Sequence, residues 1–143
     1  MREVNGYFKN GHPYFSIMVY GYSPEISVSI IAMLDTGFTG FLYLPLAQCL
    51  QSALILASTA PYTLADGNTS YALLALGTIV LEKSISTTGL VAISMASTDA
   101  LIGMEFLRKL GGRLEVDTKT ETVKIKNIPP ELLKNPKTSR PQQ

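Results

Sequence analysis

The stretch that most constrains the fold is Ile30 to Pro45, which reads IIAMLDTGFTGFLYLP. An apolar run delivers an acid, Asp35, directly into Thr36 and Gly37; Phe38-Thr39-Gly40 makes a second turn, and a second apolar run, Phe41 to Leu44, leads away. A carboxylate at the end of a hydrophobic strand is costly unless it is hydrogen-bonded or does chemistry. Thr36 supplies a hydroxyl donor, and Gly37 lets backbone amides come close. Taken alone, Asp-Thr-Gly is equally an ordinary strand-ending turn with an exposed acid, since Asp and Gly are common turn residues.

The rest of the chain reads as strands. Lys9 to Pro13 is a turn cluster between strand-like runs at Val4 to Phe8 and Tyr14 to Tyr20, and Asn10-Gly11 is a hairpin signal. His12 falls in that turn as a solvated residue. After a turn at Gly21 to Pro24, Ile26, Val28 and Ile30 alternate with Ser27 and Ser29, the period of a half-buried strand. From Ile30 to Leu34 the run is continuously apolar, which predicts burial on both faces and places Asp35 at the strand's end. Pro45 opens a short helix with Leu46, Ala47, Leu50 and Leu54 on one face. Thr59 to Leu81 predicts a long hairpin with Asp66-Gly67-Asn68 at its tip. Gly89 to Met95 is a further strand. Met104 to Leu110 predicts a short helix with Met104, Leu107 and Leu110 on one face, stopped by Gly111-Gly112. Arg113 to Asp117 and Thr122 to Lys126 form a last hairpin. A single domain over 1–128 and a mobile tail over 129–143, rich in Pro, Lys, Asn and Gln, follow from this pattern.

Composition narrows the function. The 143 residues suffice for one domain with a core. Net charge is +1 with no dense basic patch, so nucleic acid is not an expected partner. Cys49 is the one cysteine, which excludes an internal disulfide and a Cys-rich zinc site; burial as a structural thiol is its expected role. His12 is the one histidine, and no Ser or Cys near it sits in a nucleophile motif. No metal and no cofactor are expected. The first ten residues contain Arg2, Glu3, Asn5 and Lys9 and lack the apolar core of a signal peptide. The longest apolar run, Ala72 to Leu81, is too short to span a bilayer as a helix. A soluble, cytoplasmic chain with no membrane partner is the expectation.

Two elements carry a resemblance. Apolar-apolar-Asp35-Thr36-Gly37, extended through Phe38-Thr39-Gly40-Phe41 to Leu44-Pro45, resembles the active-site motif of retropepsin-like aspartic proteases, in particular their small prokaryotic branch. Leu101-Ile102-Gly103, followed by Phe106-Leu107-Arg108-Lys109-Leu110-Gly111, resembles the later apolar-apolar-Gly turn and helix of the same family. The likeness covers about Tyr14 to Asp117. It implies a mostly β, closed barrel-like acid-protease fold with one or two short helices, working as a homodimer. It assigns Asp35, Thr36 and Gly37 to catalysis. The hairpin tip, Ala65, Asp66, Gly67 and Asn68, would be the flap that closes over substrate, and Phe38 would line an apolar substrate pocket. The tip departs from the glycine-rich flap of the retroviral enzymes. Those enzymes also pair an acid after the Asp-Thr-Gly with an arginine after the later turn; here Thr39 and Gly40 follow Phe38, and Met104 stands in the arginine's place. The dimer is then left to apolar strand contacts.

The remaining aspartates, Asp66, Asp99 and Asp117, lack the Thr-Gly context, as do the glutamates. A mechanism needing two carboxylates therefore draws the second from another copy across a twofold axis. The pair would share one proton and activate a water against a peptide bond, with no covalent intermediate. The expected activity is an aspartic endopeptidase acting on a peptide or unstructured protein. Two alternatives stand beside it: a non-catalytic peptide-binding or assembly module on the same fold, and a hydrolase of small amides.

Overall fold

The computed structural model describes residues 2–63 and 65–130. The first strand-like run breaks at Gly6. β1 (Arg2–Asn5) turns to a small sheet, while β2 (Tyr7–Lys9) enters the main one. The Gly6 amide donates to the Val123 carbonyl at 2.9 Å, and a side chain there would collide with the Tyr14 carbonyl. Asn10 and Gly11, at φ 52° and 77°, form the two-residue turn to β3 (His12–Tyr20), setting Lys9 opposite His12. His12, expected within the turn, is thus the exposed first residue of a strand, one place beyond the observed turn.

β4 (Val28–Leu34) runs antiparallel to β3 and ends at Asp35. β5 (Leu42–Pro45) leads into α1 (Leu46–Gln51). β6 (Ile55–Thr63) and β7 (Thr69–Leu81) form the long hairpin, with Thr63 opposite Thr69; it starts four residues earlier than the sequence predicts. β8 (Ile85–Ser94), β9 (Ala100–Ile102) and α2 (Met104–Leu110) follow, then the hairpin of β10 (Arg113–Asp117) and β11 (Thr122–Ile128).

The main sheet has the order β2-β3-β4-β9-β5-β8-β7-β6, and a further pairing of β3 with β7 closes six of its strands, β3-β4-β9-β5-β8-β7, into a barrel. β1-β11-β10 is a separate sheet of three strands. Phe15, Ile17, Val19, Leu42, Leu44, Ile79, Leu81, Val91 and Ile102 fill the barrel, and α2 adds Phe106 and Leu110. The expected fold, a closed and mostly β acid-protease barrel with two short helices, is the one observed. Among the described residues no helix is long and apolar enough to cross a membrane.

Three side-chain placements differ from the sequence reading. β4 is buried on one face only: Ile30, Ala32 and Leu34 point inward, Ile31 is 56% exposed and Met33 is half-buried. In α1 the buried side is Cys49 and the following Ser52, while Leu50 is 72% exposed and Ala47 exposed. A six-residue helix has too few turns for its own periodicity to set its facing; the strand that leads into it does. In α2 the anchors are Phe106 and Leu110, four apart, with Met104 and Leu107 half-buried at the flanks. Gly111 ends that helix at φ 69°, as expected of a left-handed glycine stop. Of the expected C-terminal tail, residues 131–143 lie outside the described residues.

Candidate active site

Asp35 is placed by its backbone before its side chain is considered. β4 lies parallel to β9, with Met33 opposite Leu101 and Leu34 opposite Ile102. The Asp35 amide extends this ladder by donating to the Ile102 carbonyl at 3.0 Å. β5 lies antiparallel along the other edge of β9, with Leu42 opposite Ile102. β9 therefore runs between the two arms of the loop that carries Asp35. Its continuation closes the loop from beneath: the Gly103 amide donates to the Phe41 carbonyl (3.2 Å), Met104 to Phe38 (2.9 Å) and Glu105 to Gly40 (3.1 Å).

Within the loop, the Phe38 amide donates to the Asp35 carbonyl at 3.1 Å, making a tight turn. The Gly37 amide donates to Asp35 Oδ1 at 2.9 Å and fixes the carboxylate. A β-carbon on Gly37 would stand 3.2 Å from that same oxygen, so a side chain there would crowd the acid. Asp35 is half-buried, and Thr36 and Gly37 are exposed. One oxygen of the acid is held by an amide, and Oδ2 has no hydrogen-bond partner among the described residues. Ionised, such a carboxylate accepts a proton; protonated, it can give one.

The other expected site residues fall in two places. Phe38 is half-buried, and its ring folds back over the loop: it would touch β-carbons at Gly40 and Gly103, and it meets Tyr43 edge-on at 6.2 Å between ring centres. Ala65, Asp66, Gly67 and Asn68 sit together at the β6–β7 tip. There the Asn68 amide donates to Asp66 Oδ1 (2.9 Å), its side-chain amide donates to Oδ2 (3.0 Å), and Gly67 has φ 87°. Among the described residues both of these bonds lie within the tip itself. On β7, Tyr71 (67% exposed) and Leu73 (36%) continue the face that buries Ala75 and Ile79, so an apolar strip runs from the barrel interior onto the hairpin. The sequence reading places the tip but not these two, because the run from Tyr71 to Leu76 is apolar on both faces and does not show which face turns inward. The amides of Met104 and Glu105 were also missed, because backbone donors leave no mark on residue type.

Away from this loop, Cys49 is buried with its thiol toward the Leu44 carbonyl at 3.6 Å, and desolvation pushes its pKa up to about 11, so it is protonated and unreactive at neutral pH. No group of three or more His, Cys, Asp or Glu side chains among the described residues is arranged to hold a metal ion.

No protein-family model matches the chain, and no curated protein is significantly similar to it. Solved structures are. A retropepsin-like aspartic protease from Rickettsia conorii is 19% identical over 87% of this chain and 90% of its own, with a TM-score of 0.56. EIAV protease, in complex with the inhibitor HBY-793, is 18% identical over 77% of this chain and 98% of its own, with a TM-score of 0.50. The closed barrel, the β9 crossing beneath the Asp35 loop and these likenesses agree: this chain has a retropepsin-like fold.

Proposed function

We propose that the chain is an aspartic endopeptidase whose working unit is a homodimer, with Asp35 of each copy meeting at a shared site. The observation that carries the reading is the placing of Asp35: it caps a core strand, one oxygen is held by the Gly37 amide, and its loop is pinned by amides from 103–105. Two carboxylates brought together hold one proton between them, because both cannot ionise at close range. The ionised member takes a proton from a water lying between them. The water oxygen attacks the scissile carbonyl carbon while the protonated member gives its proton to the carbonyl oxygen. The tetrahedral intermediate then collapses: the C–N bond breaks as the newly protonated member gives its proton to the leaving nitrogen, the other member takes one from a hydroxyl of the intermediate, and the dyad again holds a single proton. Thr36, exposed beside the acid, hydrogen-bonds across the axis and fixes the two loops. The β6–β7 hairpin closes over an extended peptide, with Ala65 to Asn68 at its tip and Tyr71 and Leu73 supplying apolar contact; Phe38 forms a wall.

Asp35→Asn tests this. The variant keeps shape and hydrogen bonding but cannot act as base, so cleavage of an unstructured protein falls by about 100-fold or more, the usual worth of a positioned acid–base group, with melting unchanged. Cleavage at the wild-type rate would refute the assignment. Binding of a statin-type peptide, a mimic of the tetrahedral intermediate, raises the melting temperature of the wild type; binding without cleavage of any peptide would instead favour the non-catalytic module.

A further inference from the structure

β4 turns one face to the core and the other to the side on which Asp35 stands. Ile30, Ala32 and Leu34 point inward, so by alternation Ile31, Met33 and Asp35 share the outer face. Ile31 and Met33 line a cavity of about 80 Å³ on that face, together with Asp99 from the approach to β9 and Gln48 from α1. Tyr14, opposite Met33 on β3 and stacked on Tyr7 with ring centres 6.0 Å apart, lines it too. Asp99 is the one charged residue of the lining. Its backbone is fixed: the Ser97 amide donates to Ser94 Oγ at 2.8 Å, and the Asp99 amide to Ser97 Oγ at 3.0 Å. Among the described residues its carboxylate makes no hydrogen bond or ion pair. Gln48 Oε1 is buried and likewise has no partner among them. A buried acceptor left without a donor is costly, so this one has a use for a donor brought from outside.

We propose that Asp99 and Gln48 set the class of peptide this chain takes: one with a lysine or arginine near the bond that is cut. A single carboxylate and one amide oxygen are too few ligands for a metal ion. They suit a side-chain ammonium or guanidinium, which carries several donors and no acceptor. Its methylenes pack on Ile31 and Met33, and its charge lies against the Tyr14 ring and the Asp99 carboxylate. Ile31 stands four residues before Asp35 on the same strand face. That is about 13 Å, so the cation belongs to a residue within about four of the cut on an extended peptide. In a homodimer the cavity occurs twice, and a basic residue is favoured on each side of the cut. This inference rests on the proposed endopeptidase and names the peptides it prefers.

Cleavage of a peptide library by the full chain, with the products sequenced, reads the preference. Lysine or arginine should be enriched about tenfold over norleucine at one position on each side of the cut, the worth of a hydrogen-bonded charge. Norleucine keeps the methylenes and lacks the ammonium. Asp99→Asn should bring the ratio of lysine to norleucine close to one, Asp99→Lys should turn the preference to glutamate, and Gln48→Glu should raise the ratio severalfold. Asp99 is exposed, so its variants are expected to fold. The same ratio is read in binding, from the melting shifts given by statin-type peptides that carry lysine or norleucine. Cleavage with no basic preference, or with one that Asp99→Asn and Asp99→Lys both leave intact, overturns the assignment of the cavity and leaves the endopeptidase standing. Peptides bound but not cut, with lysine favoured through Asp99, support the cavity and remove the endopeptidase. If no peptide is cut or bound, both fall.

Discussion

Gly103 is the point at which the candidate site is most exposed to a single change. Its backbone, at φ −121° and ψ −168°, is extended and open to any residue, so conformation does not require glycine. Space does. A β-carbon there would fall inside contact distance of the Phe38 and Gly40 carbonyl oxygens, and 2.6 Å from Phe38 Cδ2. Those two carbonyls receive the Met104 and Glu105 amides at 2.9 and 3.1 Å. In Gly103→Ala the methyl group must push the Asp35 loop away from β9 and stretch both bonds. Forcing a methyl into a packed site costs about 1–3 kcal/mol, and each weakened backbone bond about 1 kcal/mol. The sum is about 3–5 kcal/mol, or a fall in melting temperature of roughly 10–20 °C for a domain of this size. Urea unfolding followed by circular dichroism reads it. Gly11→Ala is the control: φ is 77° and nothing lies within 4 Å, so it carries only the backbone penalty of about 1–2 kcal/mol. If Gly103→Ala were no less stable than Gly11→Ala, and cleaved peptide at the wild-type rate, the loop would not be held by the β9 crossing and the reasoning would fail.

Cys49 gives a pH signature. With its folded pKa raised from 9.0 to about 11, the unfolded thiol ionises first as pH climbs, so the unfolded state binds fewer protons and stability falls between pH 9 and 11. The loss reaches about 2–3 kcal/mol, seen as a drop in the urea midpoint that Cys49→Ala lacks; equal pH profiles would contradict the burial argument. At the hairpin tip, Asp66→Ala removes both bonds to Asn68 at an exposed site. Stability should change by less than about 0.5 kcal/mol while KM for a peptide rises severalfold; an unchanged KM would separate the tip from substrate binding.

Much of this architecture was legible in the residues, and the parts that were not share a cause. Asn10-Gly11, Gly67 in its Asp-Gly-Asn tip, and Gly111 mark turns because left-handed backbone at these positions is a chemical requirement of the chain itself. Asp35 at a strand end, and the helix from Met104, follow from local pattern in the same way. What failed was facing. Leu50 was assigned inward because it is apolar, yet on a six-residue helix the buried position is Cys49. Ile31 and Met33 were read as core because the run is continuous, yet β4 has one buried face. Facing is set by what a segment packs against, and a contact made across the barrel has no local signature. The break at Gly6 is similar: it is dictated by the approach of Tyr14 and Val123, both distant in sequence.

The same distinction bears on how a site of this kind tolerates change. In the retroviral pattern an acid after the Asp-Thr-Gly pairs with an arginine after the later turn; this chain has Thr39 and Gly40 after Phe38, and Met104 in the arginine's place. The loop is nonetheless held, because its restraints are main-chain donors and acceptors: Asp35 to Ile102, Gly103 to Phe41, Met104 to Phe38, Glu105 to Gly40. Such bonds are indifferent to the side chains at 38 and 104 and sensitive to any side chain at 103. Placing the acid within one copy therefore does not need the ion pair.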